Sequence, residues 1–322
     1  MNPTPPPAEG LRLRSVKHLA DQLGFSPEVL LDISERAPSF YHDFDRVVKG
    51  KLRHLTMARP PLAVLQRRIL DRIFCRLPVS DHAYGAIKGR SIRKNATAHA
   101  SAPFVVKLDI KDFYPSIRYQ RIYDFFIAQR CSPDVARVFT RLTTRKHALP
   151  LGTSTSPFLA DQIVCPIDKR IGGLAKARGL TYTRYIDDVT LSGRFDLERL
   201  ADRIAEIIRQ AGFTIKRSKM DFYRPGDGKE RIITGVRVQD GNIRAPSSYV
   251  DVLREELTRA RVESMHEHVH GDFETRQQYR GKIGYVMWLD ASAGTRLLRI
   301  YRKVKWRHLE YAMARRRSAA PA

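Results

Sequence analysis

Two places in this chain put acid where buried backbone is expected. Phe104-Val105-Val106-Lys107-Leu108-Asp109-Ile110 is short, apolar and β-branched, which reads as a buried strand, and it ends in aspartate. Leu180–Tyr185 and Val189–Ser192 have the same character and are joined by Ile186-Asp187-Asp188, a hairpin apex with adjacent carboxylates. Carboxylates in an apolar, strand-rich setting are costly unless something positive compensates them. The fold must therefore expose these strand ends as surface turns, pair them with Lys or Arg, or gather them around a cation. If Asp109 and the 187–188 turn lie on neighbouring strands, three carboxylates converge. That suits two Mg²⁺ ions, which take oxygen ligands at about 2.1 Å and keep waters for phosphate. Two metals about 4 Å apart stabilise the attacking and leaving oxygens of an in-line phosphoryl transfer.

The rest of the chain frames these strands with helices. Residues 15–37 read as two helices, with Ser26-Pro27-Glu28 as cap and first turn of the second. Val47–Met57 reads as a basic hairpin around Gly50-Lys51, and Leu62–Leu77 as one helix with Leu65, Ile69, Ile73 and Leu77 on a face. Ile92–Ala100 reads as a short helix, Tyr119–Gln129 and Pro133–Leu142 as longer ones, and Ser156-Pro157 opens another to about Leu174. Leu197–Ala211 is an amphipathic helix followed by a strand at Phe213-Thr214-Ile215. Arg231–Val238 and Asn242–Arg244 read as a small hairpin, and from about Ser247 the chain is helical and basic. Strands alternating with helices, then a helical tail, predict an α+β fold with a separate C-terminal module.

Charge narrows the partners. Lys and Arg number 58 against 34 Asp and Glu in 322 residues, a formal +24. Self-repulsion of that size disfavours compaction unless a polyanion shares the field. Nucleic acid is the commonest such partner, because each neutralised phosphate releases counterions. A solvated basic surface is the plainer alternative. An anionic membrane fits less well, since no single amphipathic helix holds the charge. No run approaches the roughly 20 apolar residues of a membrane span. MNPTPPPAEG has no secretory pattern, and Cys75, Cys131 and Cys165 form neither a zinc pattern nor a disulfide framework. A cytoplasmic protein is expected. His266, His268 and His270 alternate at spacing two and read as solvated rather than as a metal site.

Four blocks, in order, resemble a bacterial retron reverse transcriptase over about residues 47–300. LDIKDFYPSI (108–117) resembles the first catalytic block of a polymerase palm, and LPLGTSTSPFLAD (149–161) the next. GLTYTRYIDDVTLSG (179–193) resembles the Tyr-x-Asp-Asp block, and GFTIKRSKM (212–220) the lysine-bearing block after it. Asn95-Ala96-Thr97-Ala98-His99 and Ile233-Thr234-Gly235 resemble two smaller elements of retron enzymes. The resemblance implies a right-hand polymerase fold with fingers, an antiparallel-sheet palm and a helical thumb. It divides the chain into an N-terminal helical extension (1–40), fingers (41–104), palm (105–240, with finger insertions at about 119–156) and thumb (241–322).

Carried over residue by residue, Asp109, Asp187 and Asp188 match the metal-binding triad, with the backbone carbonyl of Ile110 a further metal contact. Lys219 matches the lysine that protonates the leaving pyrophosphate, a general-acid role. Lys51, Arg53, Ile110, Tyr114 and Gly152 match dNTP-binding positions. Tyr114 would stack under the incoming sugar and exclude a 2′-hydroxyl, or else is a core aromatic. Asn95 and His99, at helical spacing, either contact RNA or stabilise a loop, and Thr234 and Gly235 either let backbone approach RNA or form a bulge. Arg299 and Arg302 lie in a segment where basic and apolar residues interleave, giving one buried and one phosphate-facing side. The chain departs from the family's pattern at Leu151, where Gln is common, at Ile186, usually Ala, and at Lys216, often Asn. None of these touches the carboxylates.

The resemblance implies an Mg²⁺-dependent RNA-directed DNA polymerase that copies a cognate non-coding RNA, both template and primer, into branched RNA–DNA. Its partners would be that RNA, its DNA product, dNTPs and a separate effector protein in anti-phage defence. Other bacterial reverse transcriptase classes, a catalytically dead RNA-binding scaffold and a metal-dependent nuclease are the rival readings.

Overall fold

A computed structural model describes residues 10–48, 50–266, 270 and 272–319. The chain divides into two compact units, one of residues up to 91 and 104–222, the other of 92–103 and 223 onward.

The first unit begins with α1 (Val16–Leu23) and α2 (Pro27–Glu35). Ser15 and Ser26 cap them, each side chain accepting from a backbone N–H of the first turn. β1 (Tyr41–Val48) and β2 (Lys51–Ala58) form an antiparallel hairpin, longer than the Val47–Met57 pattern, pairing Tyr41 with Ala58. α3 (Leu62–Arg72) stops short of the predicted Leu77: the chain turns through a short 3₁₀ segment at Phe74–Arg76 that buries Phe74. α4 (Ile92–Thr97) belongs to the second unit.

β3 (Phe104–Asp109) leads into α5 (Phe113–Ser116), α6 (Tyr119–Ala128) and α7 (Pro133–Thr143). α8 (Ser156–Lys176) precedes the hairpin of β4 (Thr181–Tyr185) and β5 (Asp188–Gly193), and α9 (Glu198–Gln210) follows it. β6 (Asp221–Tyr223) completes a four-stranded sheet in the order β4-β5-β3-β6. α8 packs against β4, α9 against β3, and the two helices touch each other. α9 does so through Ala201, Ile204, Ile207 and Ile208, all buried at helical spacing. Phe74, Phe126 and Phe139 stack in the same core, the last two with ring centroids 4.5 Å apart.

The predicted strand at Phe213–Ile215 reduces to one bridge, Ile110 with Ile215, and the sheet edge is taken instead by β6. Phe213 is spent on the core under α9, so its apolar character reflects packing rather than a strand.

In the second unit β7 (Ile232–Ile233), β8 (Val236–Gln239) and β9 (Asn242–Arg244) form a small antiparallel sheet. Arg231–Val238 is thus not one strand: Thr234 and Gly235, at φ +47° and +81°, turn the chain between β7 and β8. α10 (Ser247–Glu263), α11 (Arg276–Leu289), α12 (Ala291–Tyr301) and α13 (Trp306–Ala319) follow. α11 opens on a reciprocal capping box between Thr275 and Gln278. The core of this unit includes Leu253, Leu257, Tyr279, Ile283, Val286, Leu297 and Tyr301.

Candidate active site

β3 and β5 run antiparallel in a register that sets Asp109 opposite Asp188, and β4 pairs Tyr185 with the same Asp188. Ile186 and Asp187 are therefore a two-residue turn. Residues directly opposite on such a ladder hold their Cβ atoms about 4.5–5.5 Å apart. The Ile110 N–H donates to the Asp187 carbonyl at 3.0 Å and fixes the turn against the end of β3. The Lys216 N–H donates to the Asp109 carbonyl at 2.8 Å, leading into the helical turn 217–219 that brings Lys219 Nζ onto Asp109 Oδ2. The structure brings the three aspartates and Lys219 together from stretches up to 110 residues apart.

The turn is strained. Ile186 sits at φ +59°, a region that a β-branched side chain rarely occupies. Holding such a residue there costs about 1–3 kcal/mol.

The site is short of positive charge. Burial raises the Asp187 pKa, and the Asp109 charge adds to that. Asp188 is pushed up to about 6, chiefly by burial and then by Asp187, against smaller opposing effects of Lys107 and Lys219. Two carboxylates that resist ionising, beside a third already bonded to a lysine, form a site with unmet demand for cation. The ligand set is all hard oxygen, the chemistry that Mg²⁺ prefers. Among the described residues no three His, Cys, Asp or Glu side chains are drawn together as a ready metal cage, and Lys219 holds one oxygen of Asp109. The residues fit a divalent cation that would take up part of the role Lys219 fills.

Around the triad, Arg53 on β2 is exposed, and its charge reaches Asp187. The Lys51 side chain lies outside the described residues. Tyr114 is half-buried against Phe113, ring centroids 5.4 Å apart. Its hydroxyl pKa is pushed up to about 12 by burial and then by the Asp187 charge. Gly152 adopts φ +118°, and a Cβ there would meet the Thr56 carbonyl oxygen at 2.8 Å. Glycine is thus needed for the turn at 151–152 to lie against β2, where Thr56 N–H donates to the Leu151 carbonyl. The Ile110 bridge to Ile215 is closed by bonds from Lys111 and Lys216, not from Ile110 itself.

In the second unit, the direct-contact reading of Asn95 and His99 needs correction. Both are fully buried, and α4 ends at Thr97, so they do not share a helical face. Burial alone depresses the His99 pKa to about 3, so the ring is neutral at physiological pH. Asn95 Nδ2 donates to Thr234 Oγ1 at 3.3 Å, and Tyr285 donates to the Gly235 carbonyl at 2.7 Å. These residues fasten the β7–β8 turn to α4 and α11. Arg299 and Arg302 are exposed while Leu297 and Tyr301 are buried, the two-sided pattern expected. Arg302 lines a groove of about 580 Å³ with Arg276, Arg280 and Tyr301. His268 lies outside the described residues.

The reverse transcriptase (RNA-dependent DNA polymerase) family model matches residues 42–260. The chain belongs to the reverse transcriptase family. Its relatives there are retron enzymes. It is 34% identical over 271 residues to the retron Mx65 reverse transcriptase of Myxococcus xanthus, covering 78% of this chain and 61% of that protein. It is 30% identical to the Mx162 enzyme of the same organism, over 90% of this chain and 67% of that one. The retron Ec86 reverse transcriptase of Escherichia coli is 29% identical over 79% and 77%. The chain thus spans about two thirds of the length of the Myxococcus relatives it matches. With the family goes the right-hand polymerase fold.

Sequence reasoning passed over one part of the site. Beside the Ile186–Asp187 turn, Arg184 on β4 is buried with Asp161 and Asp168 of α8. Its Nη2 donates to Asp161 Oδ1 and to Asp168 Oδ2, both at 2.7 Å, and its Nε donates to Asp168 Oδ1 at 2.9 Å. Tyr182 donates to Asp168 at 2.6 Å. The signal lay in the sequence: two acids seven residues apart on one apolar helix face, and an arginine inside a strand.

Proposed function

We propose that this reverse transcriptase copies a cognate structured RNA into DNA. The carrying observation is the ladder register that sets Asp109 against Asp188, with Asp187 at the apex of the same turn. Divalent cations held by Asp109, Asp187 and Asp188, Mg²⁺ above all, would stabilise charge on the attacking and leaving oxygens of nucleotidyl transfer. Tyr114, beside Asp187, would lie under the incoming sugar and disfavour a 2′-hydroxyl. Arg53, and Lys51 at the start of the same strand, would hold the triphosphate. Lys219, beside Asp109, would deliver a proton to the departing pyrophosphate. The primer hydroxyl attacks the α-phosphate, and the P–O bond to pyrophosphate breaks.

The RNA side of the reading rests on the second unit. The exposed arginines of α12 and the groove that Arg302 shares with Arg276 and Arg280 suit a phosphate backbone. We assign fingers to 41–104, palm to 105–240 with finger insertions at about 119–156, and thumb to 241–322, after an N-terminal extension of 1–40. By kinship with retron enzymes, synthesis starts from an internal RNA 2′-hydroxyl and yields branched RNA–DNA. A cytoplasmic setting and a defence role beside a separate effector follow from the same kinship. No helix among the described residues is long and apolar enough to cross a membrane.

Sequencing the nucleic acid that copurifies with the protein tests this. A single RNA species joined covalently to DNA is expected. Ordinary cellular RNA without DNA would overturn the cognate-template reading.

A further inference from the structure

Arg184 carries one bond that a purely structural ion cluster does not need. Its Nη1 donates to the carbonyl oxygen of Ile186 at 3.0 Å, the residue held in the left-handed region. Its remaining nitrogens are committed to Asp161 and Asp168, so the guanidinium is fixed from below and aimed at the turn. The turn is also held from outside. His82 and Tyr84 bond the backbone of Arg184 on either side at 2.7 Å, the Arg184 N–H donating to the His82 carbonyl and the Tyr84 N–H to the Arg184 carbonyl. Gly85 then lies so close that a Cβ there would meet the Ile186 nitrogen at 2.8 Å and its Cγ1 at 2.5 Å.

We propose that Arg184, with Gly85 packed against the turn, is a positioning residue. It clamps Ile186 in its left-handed conformation and so sets where Asp187 and Asp188 stand. This rests on the polymerase reading for its kinetic part only. A guanidinium is required because a lysine has no planar fork to bond both acids and the carbonyl at once.

The test is a double-mutant cycle with Ile186→Gly, because glycine adopts a positive φ without strain and needs no clamp. Misplacing a reacting group by about 1 Å costs up to ~10²-fold in rate. Arg184→Lys should lower kcat for deoxynucleotide incorporation about 10–100-fold, with dNTP KM changed less than about threefold, while in the Ile186→Gly background the loss shrinks below about threefold. Equal losses in both backgrounds would overturn the proposal. Gly85→Ala leaves the buried ion cluster intact but presses on the Ile186 nitrogen, a backbone atom that Ile186→Gly retains, so it should lower kcat in both backgrounds, which covers an Arg184→Lys chain that folds poorly. Amide exchange of Ile110, whose N–H bonds the Asp187 carbonyl, provides a readout that needs no activity. It should speed up in Arg184→Lys and in Gly85→Ala, and return towards wild type on adding Ile186→Gly to Arg184→Lys. Unchanged exchange would refute the clamp. Inactive wild-type protein with the expected exchange pattern would instead fault the polymerase reading alone.

Discussion

A buried and a half-buried charge cluster flank the β4–β5 turn, and they are built oppositely. Below the turn, Arg184 is bonded to both Asp161 and Asp168, and Tyr182 supplies another donor to Asp168. Above it, Lys219 pairs with Asp109 alone of the three aspartates among the described residues, and burial, helped by the neighbouring carboxylates, lifts Asp187 and Asp188. The lower cluster is hydrogen-bonded by the chain itself, although burial raises the Asp161 pKa there too. In the upper one burial opposes the charge of two carboxylates, a cost that a divalent cation would relieve. Satisfied charge fixes a structure; unsatisfied charge marks where a ligand completes it.

The contrast can be broken from either side. The largest effect is expected from Asp109→Asn, which removes a carboxylate from the upper cluster and the anchor of Lys219. Deoxynucleotide incorporation should fall by about 10³-fold or more, with far-ultraviolet circular dichroism unchanged. Asp168→Asn attacks the lower cluster instead. It leaves Arg184 underpaired in the core and should cost about 3–5 kcal/mol in denaturant unfolding.

Asp188→Asn should do the reverse to stability. A raised carboxylate pKa means the folded chain holds a proton that the unfolded chain has already released. Metal-free stability should therefore fall as pH rises from about 4 through about 6, and Asp188→Asn should flatten that fall. At pH 8 the variant should be more stable than the parent by about 1–2 kcal/mol, though inactive. Thermal melts across pH without metal check both points. Protons compete with cations for the same oxygens, so the Mg²⁺ concentration needed for half-maximal activity should rise as pH drops below about 6.

The smallest effects belong to the second unit. Arg299→Ala and Arg302→Ala should each weaken RNA binding a few-fold and lower the slope of log affinity against log salt by about 1. Filter binding at several salt concentrations reads that slope.

How far these clusters were legible in sequence follows from how local their signals are. Asp109 and Asp187-Asp188 announce themselves, because a β-branched run ending in acid is a local pattern. Their meeting is a register property, visible only when β3 and β5 pair. The lower cluster needs a helix and a strand to come together, and its members read singly as an ordinary helix acid and a strand arginine. Phe213 misled because burial under α9 and membership of a strand favour the same residue type. Asn95 and His99 left two readings open, RNA contact or a loop brace; the structure buries both and bonds Asn95 to Thr234 of the turn, which only tertiary packing reveals. Ile186 was noticed as a departure, yet its left-handed backbone, and hence its need for a clamp, is a tertiary fact.

The most direct test of the central claim is deoxynucleotide incorporation on a primed RNA template with Mg²⁺, comparing the parent chain with the double substitution Asp187→Asn, Asp188→Asn. The parent should extend the primer, and the double variant should show none above background while retaining RNA affinity within about twofold. Extension by the double variant at the parent's rate would contradict the account.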